Sequence, residues 1–357
     1  MDSTTYRVLY ALSRRLDRGQ SISELVRRIR ELGYTAYYKN IYDKCQKLKD
    51  EGIIKIEKTG MTSLLYLRLT NPGTIDELAS MELRGKKEFL EKNKGEEQLL
   101  RDIESIRDIN LKATAIIRPE KNAKLNTAEI LFLIDSDLAA EGLCRRIQEI
   151  SKKNNLKVYS LILTEEEFKT MLQSEGYNQA KEILTDKVVL ENQSGFWRIV
   201  SQTPPTSPAE EIEPRKISEQ ELYWNLERFG YTAFTKISSE KTADLNIETT
   251  IMACLLKDDA RLTEAAAVLI GKNKINIRLL LYLGLKHNKL SMLGYLIDSV
   301  KELTQDDKKQ TALSQGLIIF NVFYTQLKSN TTSGRWGIDT RTSAQDLLET
   351  LRKYDAA

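Results

Sequence analysis

The sequence predicts an α/β multi-domain protein, on three observations. Residues 1–72 place three helical patterns ahead of an alternating hairpin. One near-continuous apolar run, "AEILFLID" (128–135), reads as a strand buried on both faces, and an amphipathic helix separates it from a further strand, "LKVYSLILT" (156–164). Beyond "SQTPPTSPAEEIEP" (201–214), which holds four of the six prolines, only helical patterns follow. The resulting divisions are a first module at 1–72, a connecting helix at 73–110, an α/β domain at 111–200, an extended proline-rich linker at 201–216 and an all-α helical bundle at 217–357.

In the first module, "STTYRVLYALSRRLDR" (3–18) spaces Tyr6, Leu9, Leu12 and Leu16 at helical intervals, and Gly19 is expected to end that helix. Ser21 with Glu24 reads as a capping box, Leu25, Ile29 and Leu32 as a buried stripe, and Gly33 as a left-handed stop. Thr35 is then the expected N-cap of a helix over 36–51, with Ile41, Cys45 and Leu48 inward and Gly52 after it. "IIKIEKTGMTSLLYLRLT" reads as a hairpin around "KTGMTS". This module is basic. It carries fourteen Lys or Arg against eight Asp or Glu, a balance of +6, and the rest of the chain balances at −3. A basic module on a mildly acidic body suits a nucleic-acid binder with a separate sensing or assembly part.

The stretch "YYKNIYDKCQKLKDEGIIKIEKTG" resembles the recognition helix and wing of winged helix-turn-helix domains. Leu48, Gly52, Ile53 and Ile54 match that family's Leu-x-x-x-Gly-apolar-apolar step. The resemblance covers about a fifth of the chain. It implies a third helix in the major groove of duplex DNA. Its outward residues would be Tyr37, Tyr38, Lys39, Tyr42, Gln46 and Lys49, with Thr35 at its start and Lys58, Thr59 and Thr62 on the wing tip. Lys and Tyr suit phosphate contacts; Tyr38, Asn40 or Gln46 could meet base edges. Three tyrosines in one helix also suit a protein interface.

After the charged stretch 74–108, expected to connect and to break near Gly95, strands are expected at 111–117, 128–135 and 156–164. A helix through Leu143, Ile147 and Ile150 separates the last two. "EEEFKTMLQS" reads as a further helix, and "DKVVLEN" and "GFWRIV" as short strands. This order resembles the small nucleotidyltransferase fold, and "ILTEEEF…AKEILTDKVVLEN…GFW" is similar to the same group. That family carries a Gly-Ser pair, about ten residues, then Ser-Asp-x-Asp entering an apolar strand, the aspartates holding divalent metals. "AIIRPEKNAKLNTAEILFLI" aligns without a gap. Ala115 and Ile116 fall at Gly-Ser, Asn126 at the Ser, Thr127 at the first Asp and Glu129 at the second. The strand expected to supply the third carboxylate has no acid. The resemblance therefore implies a catalytically degenerate domain, a pseudoenzyme without metal or cofactor, kept for assembly or sensing. Asp135 and Asp137 read as caps of the helix starting near Leu138.

In the last region, "KNKINIRLLLYLGLKHNKLSMLGYLID" is distantly similar to the C-terminal helices of abortive-infection-type antitoxins, and Trp336 is expected to dock on the bundle. "SISELVRRIRELGYTAYYKN" (21–40) is echoed by "SEQELYWNLERFGYTAFTKI" (218–237). No Leu-Gly-wing pattern follows the second copy. The echo therefore reads as shared helix-and-turn chemistry and not as a second DNA reader.

The composition excludes several classes. The longest apolar stretch, "GLIIFNVFY" (316–324), is too short for a bilayer, and Arg7, Arg14 and Arg15 interrupt any signal-peptide core, so no membrane partner is expected. Cys45, Cys144 and Cys254 are too few and too scattered for a disulfide framework, which fits a cytoplasmic protein. The one histidine, His287, lies in a polar "KHNK" turn and reads as a solvated loop residue. The sequence thus points to a DNA-binding regulator that pairs as a homodimer and meets a further protein partner. Two other readings remain: an active nucleotidyltransferase using Glu129 with Asp135 or Asp137, and a non-catalytic, antitoxin-like interaction scaffold.

Overall fold

The computed structural model describes residues 1–93, 97–106, 110–119, 127–136, 139–205, 212–233, 244–327 and 344–354. Among them are sixteen α-helices and two small sheets, a mixed α/β architecture. None of these helices is long and apolar enough to cross a membrane. Gly95, Asn126, Asp137, Lys236 and Trp336 lie outside the described residues.

The first module contains α1 (Ser3–Ser13), β1 (Gln20–Ser21), α2 (Ile22–Glu31), α3 (Tyr38–Asp50), β2 (Ile54–Thr59) and β3 (Thr62–Leu67), with strands in the order β1-β3-β2. Two expectations need correction. Helix α1 stops at Ser13, not at residue 18, and Gly19 is not its stop. Gly19 instead lies against β3. A Cβ there would sit 2.4 Å from the Tyr66 ring and 2.8 Å from Leu64, so only glycine lets Gln20 pair with Leu65 and Ser21 with Leu64. Nor does Thr35 cap α3, which starts at Tyr38 with Tyr37 in the cap position and no side-chain cap bond. Arg7 donates to the Thr35 carbonyl at 2.9 Å, and Arg30 donates to the Ala36 carbonyl at 2.8 and 3.0 Å. Two guanidinium groups thus hold the carbonyls of the backbone entering α3, but they only donate and leave the first N–H groups of the helix without a side-chain cap.

Helix α2 ends in a Schellman turn: Gly33 has φ +82°, its N–H reaches the Arg30 carbonyl at 2.9 Å, and the Tyr34 N–H reaches Ile29 at 3.1 Å. The same pair of bonds closes α10 (Glu219–Arg228). There Gly230 has φ +88°, and Gly230 and Tyr231 bond to Glu227 and Leu226, each at 2.9 Å. Ser21 and Ser218 both accept from the backbone N–H three residues on. The two echoed segments therefore share one way of starting and ending a helix.

Helices α4 (Pro72–Lys92) and α5 (Glu97–Glu104) follow. The first buries Ile75, Leu78, Met81, Glu82 and Phe89 and packs on α1 as well as on β7 (Lys187–Glu191) and α9 (Gln193–Gln202). The buried Lys187 ammonium lies 3.3 Å from Glu82 and over the Trp197 ring. The segment "GFWRIV", expected as a strand, belongs to α9. Asn192, at φ 52°, accepts from the Gly195 N–H, and Phe196, Trp197, Ile199 and Val200 bury one helical face.

The second sheet runs β6-β5-β4-β7, from β4 (Leu111–Ile117), β5 (Thr127–Ile134), β6 (Lys157–Thr164) and β7. β5 and β6 are parallel, joined through α6 (Ala140–Lys153), and β4 is antiparallel to both its neighbours. Ala128–Ile134 is buried throughout, as its unbroken apolar run requires. Asp135 does not cap α6, whose N-cap position is Ala139; it pairs with Lys112 at 2.7 Å. Helices α7 (Glu165–Gln173) and α8 (Gln179–Thr185) come between β6 and β7.

Past a 3-10 turn at Pro214–Lys216, the described elements are helices: α10, α11 (Ile247–Leu256), α12 (Ala260–Lys272), α13 (Ile277–Lys286), α14 (Leu290–Leu303), α15 (Asp307–Leu327) and α16 (Ala344–Lys353). These helices pack on one another and also on the second sheet's layer. α13 lies on β6 and α15 on α6, where Gln148 donates to the Val322 carbonyl at 2.6 Å. Cys45, Cys144 and Cys254 are all buried thiols, pushed above their ordinary range by burial.

Candidate functional site

The outward face of α3 is built by what its inward face buries. Ile41, Cys45 and Leu48 turn into the module core, each such apolar side chain contributing about 1.5–3 kcal/mol. The residues between them must then face water. Tyr37, Tyr38 and Tyr42 are 65%, 53% and 42% exposed, and the Tyr38 and Tyr42 rings stack at 6.5 Å. Lys39 and Lys49 are exposed on the same helix and Gln46 is half-buried. At the hairpin tip Thr59 pairs with Thr62 around Gly60, and Lys58, Thr59 and Thr62 are exposed. Exposed Thr35 precedes the helix. Lys39, Lys49 and Lys58 make no ion pair with any described residue, whereas Lys44, Lys47 and Lys55 are paired with Asp2, Glu51 and Glu57. Met61, fully exposed at the tip, belongs to this surface. Its position at the centre of "TGMT" was the signal for it.

The nucleotidyltransferase-aligned positions are distributed differently. Ala115 and Ile116 lie within β4 and are buried, and Ile116 pairs with Ile130 and Val188. They form no turn, so no phosphate can approach their backbone. Thr127 opens β5, opposite Lys157, and Glu129 stands between Ile117 and Tyr159.

Glu129 is buried, and its contacts are cations and a phenol. Arg118 lies 2.5 Å away and Lys286 3.2 Å away, and the Tyr282 hydroxyl donates to the same carboxylate oxygen. Arg118 also holds Glu182 at 2.9 Å. Burial pushes the Glu129 carboxyl up, against the pull of Arg118 and Tyr282. Arg118, Tyr282 and Lys286 carried no sequence motif. The one available signal was the four-residue spacing of Tyr282 and Lys286, which puts them on one face of α13. No group of three His, Cys, Asp or Glu side chains suited to a metal occurs among the described residues. A divalent ion at Glu129 would have to displace Arg118.

Beside this network lies a cleft of about 730 Å³, lined in part by Thr127, Glu129, Lys152, Lys157, Lys286 and His287. His287 is not the solvated residue the sequence suggested. It caps the C-terminus of α13, and burial, with Arg215 nearby, lowers its imidazole to about 4. No family model, curated protein or solved structure significantly matches the chain.

Proposed function

We propose that the chain is a DNA-binding regulator whose residues 1–72 act as a winged helix on duplex DNA. The observation that carries this reading is the α3 surface: among the described residues, Lys39, Lys49 and the hairpin's Lys58 have no carboxylate partner while their neighbours do. Unpaired cations beside exposed tyrosines supply phosphate contacts without first breaking an internal ion pair. The central sheet is a catalytically degenerate nucleotidyltransferase-like domain serving assembly or sensing. Its support is the Glu129 carboxylate, already engaged by Arg118 and Lys286.

Fluorescence anisotropy of the full chain on random-sequence duplex DNA across a salt series tests the reading. The expected result is salt-sensitive binding that weakens, with a shallower salt slope, in Lys39→Glu. Equal affinity and slope in the two proteins would refute it. A protein-interaction scaffold is the second reading, favoured by the exposed Tyr37, Tyr38, Tyr42 and Met61; absence of any DNA binding would select it. The enzyme reading requires metal-dependent incorporation of a labelled triphosphate, and none is expected.

A further inference from the structure

The cleft beside Glu129 is formed where two helices end. α6 and α13 both close in Schellman turns on a left-handed asparagine. Asn155 and Leu156 bond to Lys152 and Ser151 at 3.2 and 3.1 Å, and Asn288 and Lys289 bond to Leu285 and Gly284 at 3.3 and 2.8 Å. Lysines in the last turn offset the negative end of a helix, which accounts for Lys152 and Lys286 individually. It does not account for Lys157, which starts a strand. Nor does it explain why Lys152 and Lys157 have no acidic partner among the described residues, when the adjacent Lys153 pairs with Asp102 at 2.7 Å. Three ammonium groups therefore border one cleft whose single carboxylate among the described residues, Glu129, is already held by Arg118 and Lys286, which leaves Lys152 and Lys157 unmet. The His287 Nε2 is buried nearby with no hydrogen-bond partner among the described residues. The volume falls in the range of small-molecule sites, about 300–1,000 Å³.

We propose that this cleft binds the oligophosphate chain of a small molecule directly through Lys152, Lys157 and Lys286, with no divalent cation between them. Several separated cations match several phosphates, where a single carboxylate would leave two ammonium groups unmet. Leu156 and Tyr159 in the lining offer an apolar face to an organic group on the ligand. The site joins the second sheet's layer to α13, so occupancy ties the two together.

Isothermal titration of the full chain with inorganic triphosphate and with ATP, in EDTA at low salt, tests this. Both are expected to bind and to weaken as salt rises. The Lys152→Gln/Lys157→Gln double variant is expected to lose about tenfold in affinity or more for both, with an unchanged melting temperature. Tighter binding of ATP than of triphosphate would support a seat for the organic group. The proposal fails if neither probe binds, if the double variant binds both as wild type does, or if binding appears only with Mg²⁺. It is separable from the DNA reading. Lys39→Glu is expected to keep triphosphate affinity, and the double variant is expected to keep DNA affinity. Loss of DNA binding by the double variant would assign these lysines to the nucleic-acid surface and overturn the proposal.

Discussion

On α3, Lys39 and Lys49 are exposed and make no ion pair with any described residue, whereas around Glu129 the cations Arg118 and Lys286 are folded into a paired and hydrogen-bonded network. The first arrangement costs the fold almost nothing and leaves charge available to a partner. The second places charge in the interior, where an unpaired group is costly, and binds α13 to the sheet. The same residue types thus do opposite work, and burial decides which. Substitutions on α3 should change binding and spare stability; substitutions at Glu129 should do the reverse.

The largest effect is expected from Glu129→Ala. It removes the carboxylate that Arg118, Lys286 and the Tyr282 hydroxyl share in the interior. Breaking a buried pair in this way costs about 3 kcal/mol, read as a lowered denaturant midpoint. An unchanged midpoint would mean that the network contributes nothing and would erase the contrast. Next is Lys39→Glu with Lys49→Glu. The slope of log affinity against log salt should fall by about 0.9 per lost phosphate contact. Stability should stay within about 0.5 kcal/mol of wild type, as for surface changes generally. A drop in stability without a change in slope would place these lysines in the fold's interior economy. Smaller again is Tyr38→Ala. One neutral hydrogen bond contributes about 0.5–1.5 kcal/mol, so DNA affinity should fall a few-fold. The salt slope should not move, because a phenol neutralises no phosphate. A changed slope would mean that Tyr38 positions a lysine.

What the sequence revealed follows from how local each signal was. The α3 stripe of Ile41, Cys45 and Leu48 was legible because a 3.6-residue period is set within a single helix. The turns at Gly33 and Gly230 were legible for the same reason. The helix at "GFWRIV" was misread as a strand: four of its six residues are apolar, and periodicity cannot separate a buried helix from a strand over so short a run. Gly19 was misread because its constraint comes from Tyr66, far along the chain. Glu129 was found by alignment to a motif. Its partners were not, since Arg118, Tyr282 and Lys286 meet only when α13 packs on β6. Long-range electrostatics leaves no period in a sequence.

The effect that is smallest at neutral pH concerns His287, and it tests the buried side of the comparison directly. The ring faces Glu213 and Arg215 from the 3-10 turn and Arg118 from the end of β4, and follows Lys286 on its own helix. Burial and the neighbouring cations disfavour its protonation, and its midpoint falls from 6.5 to about 4. Between these values the unfolded chain binds a proton that the folded ring refuses. Stability must therefore decline as pH falls through that window and be independent of this group above it. The chain has one histidine, so a single imidazole resonance in a proton NMR titration reports the midpoint without assignment. A midpoint near 6.5 would make His287 a solvated residue and remove it from the network. With triphosphate present, added negative charge in the cleft should move the midpoint upward, because the protonated ring would then have an anion to face. The same resonance therefore separates an imidazole held neutral by a packed interface from one waiting beside a ligand.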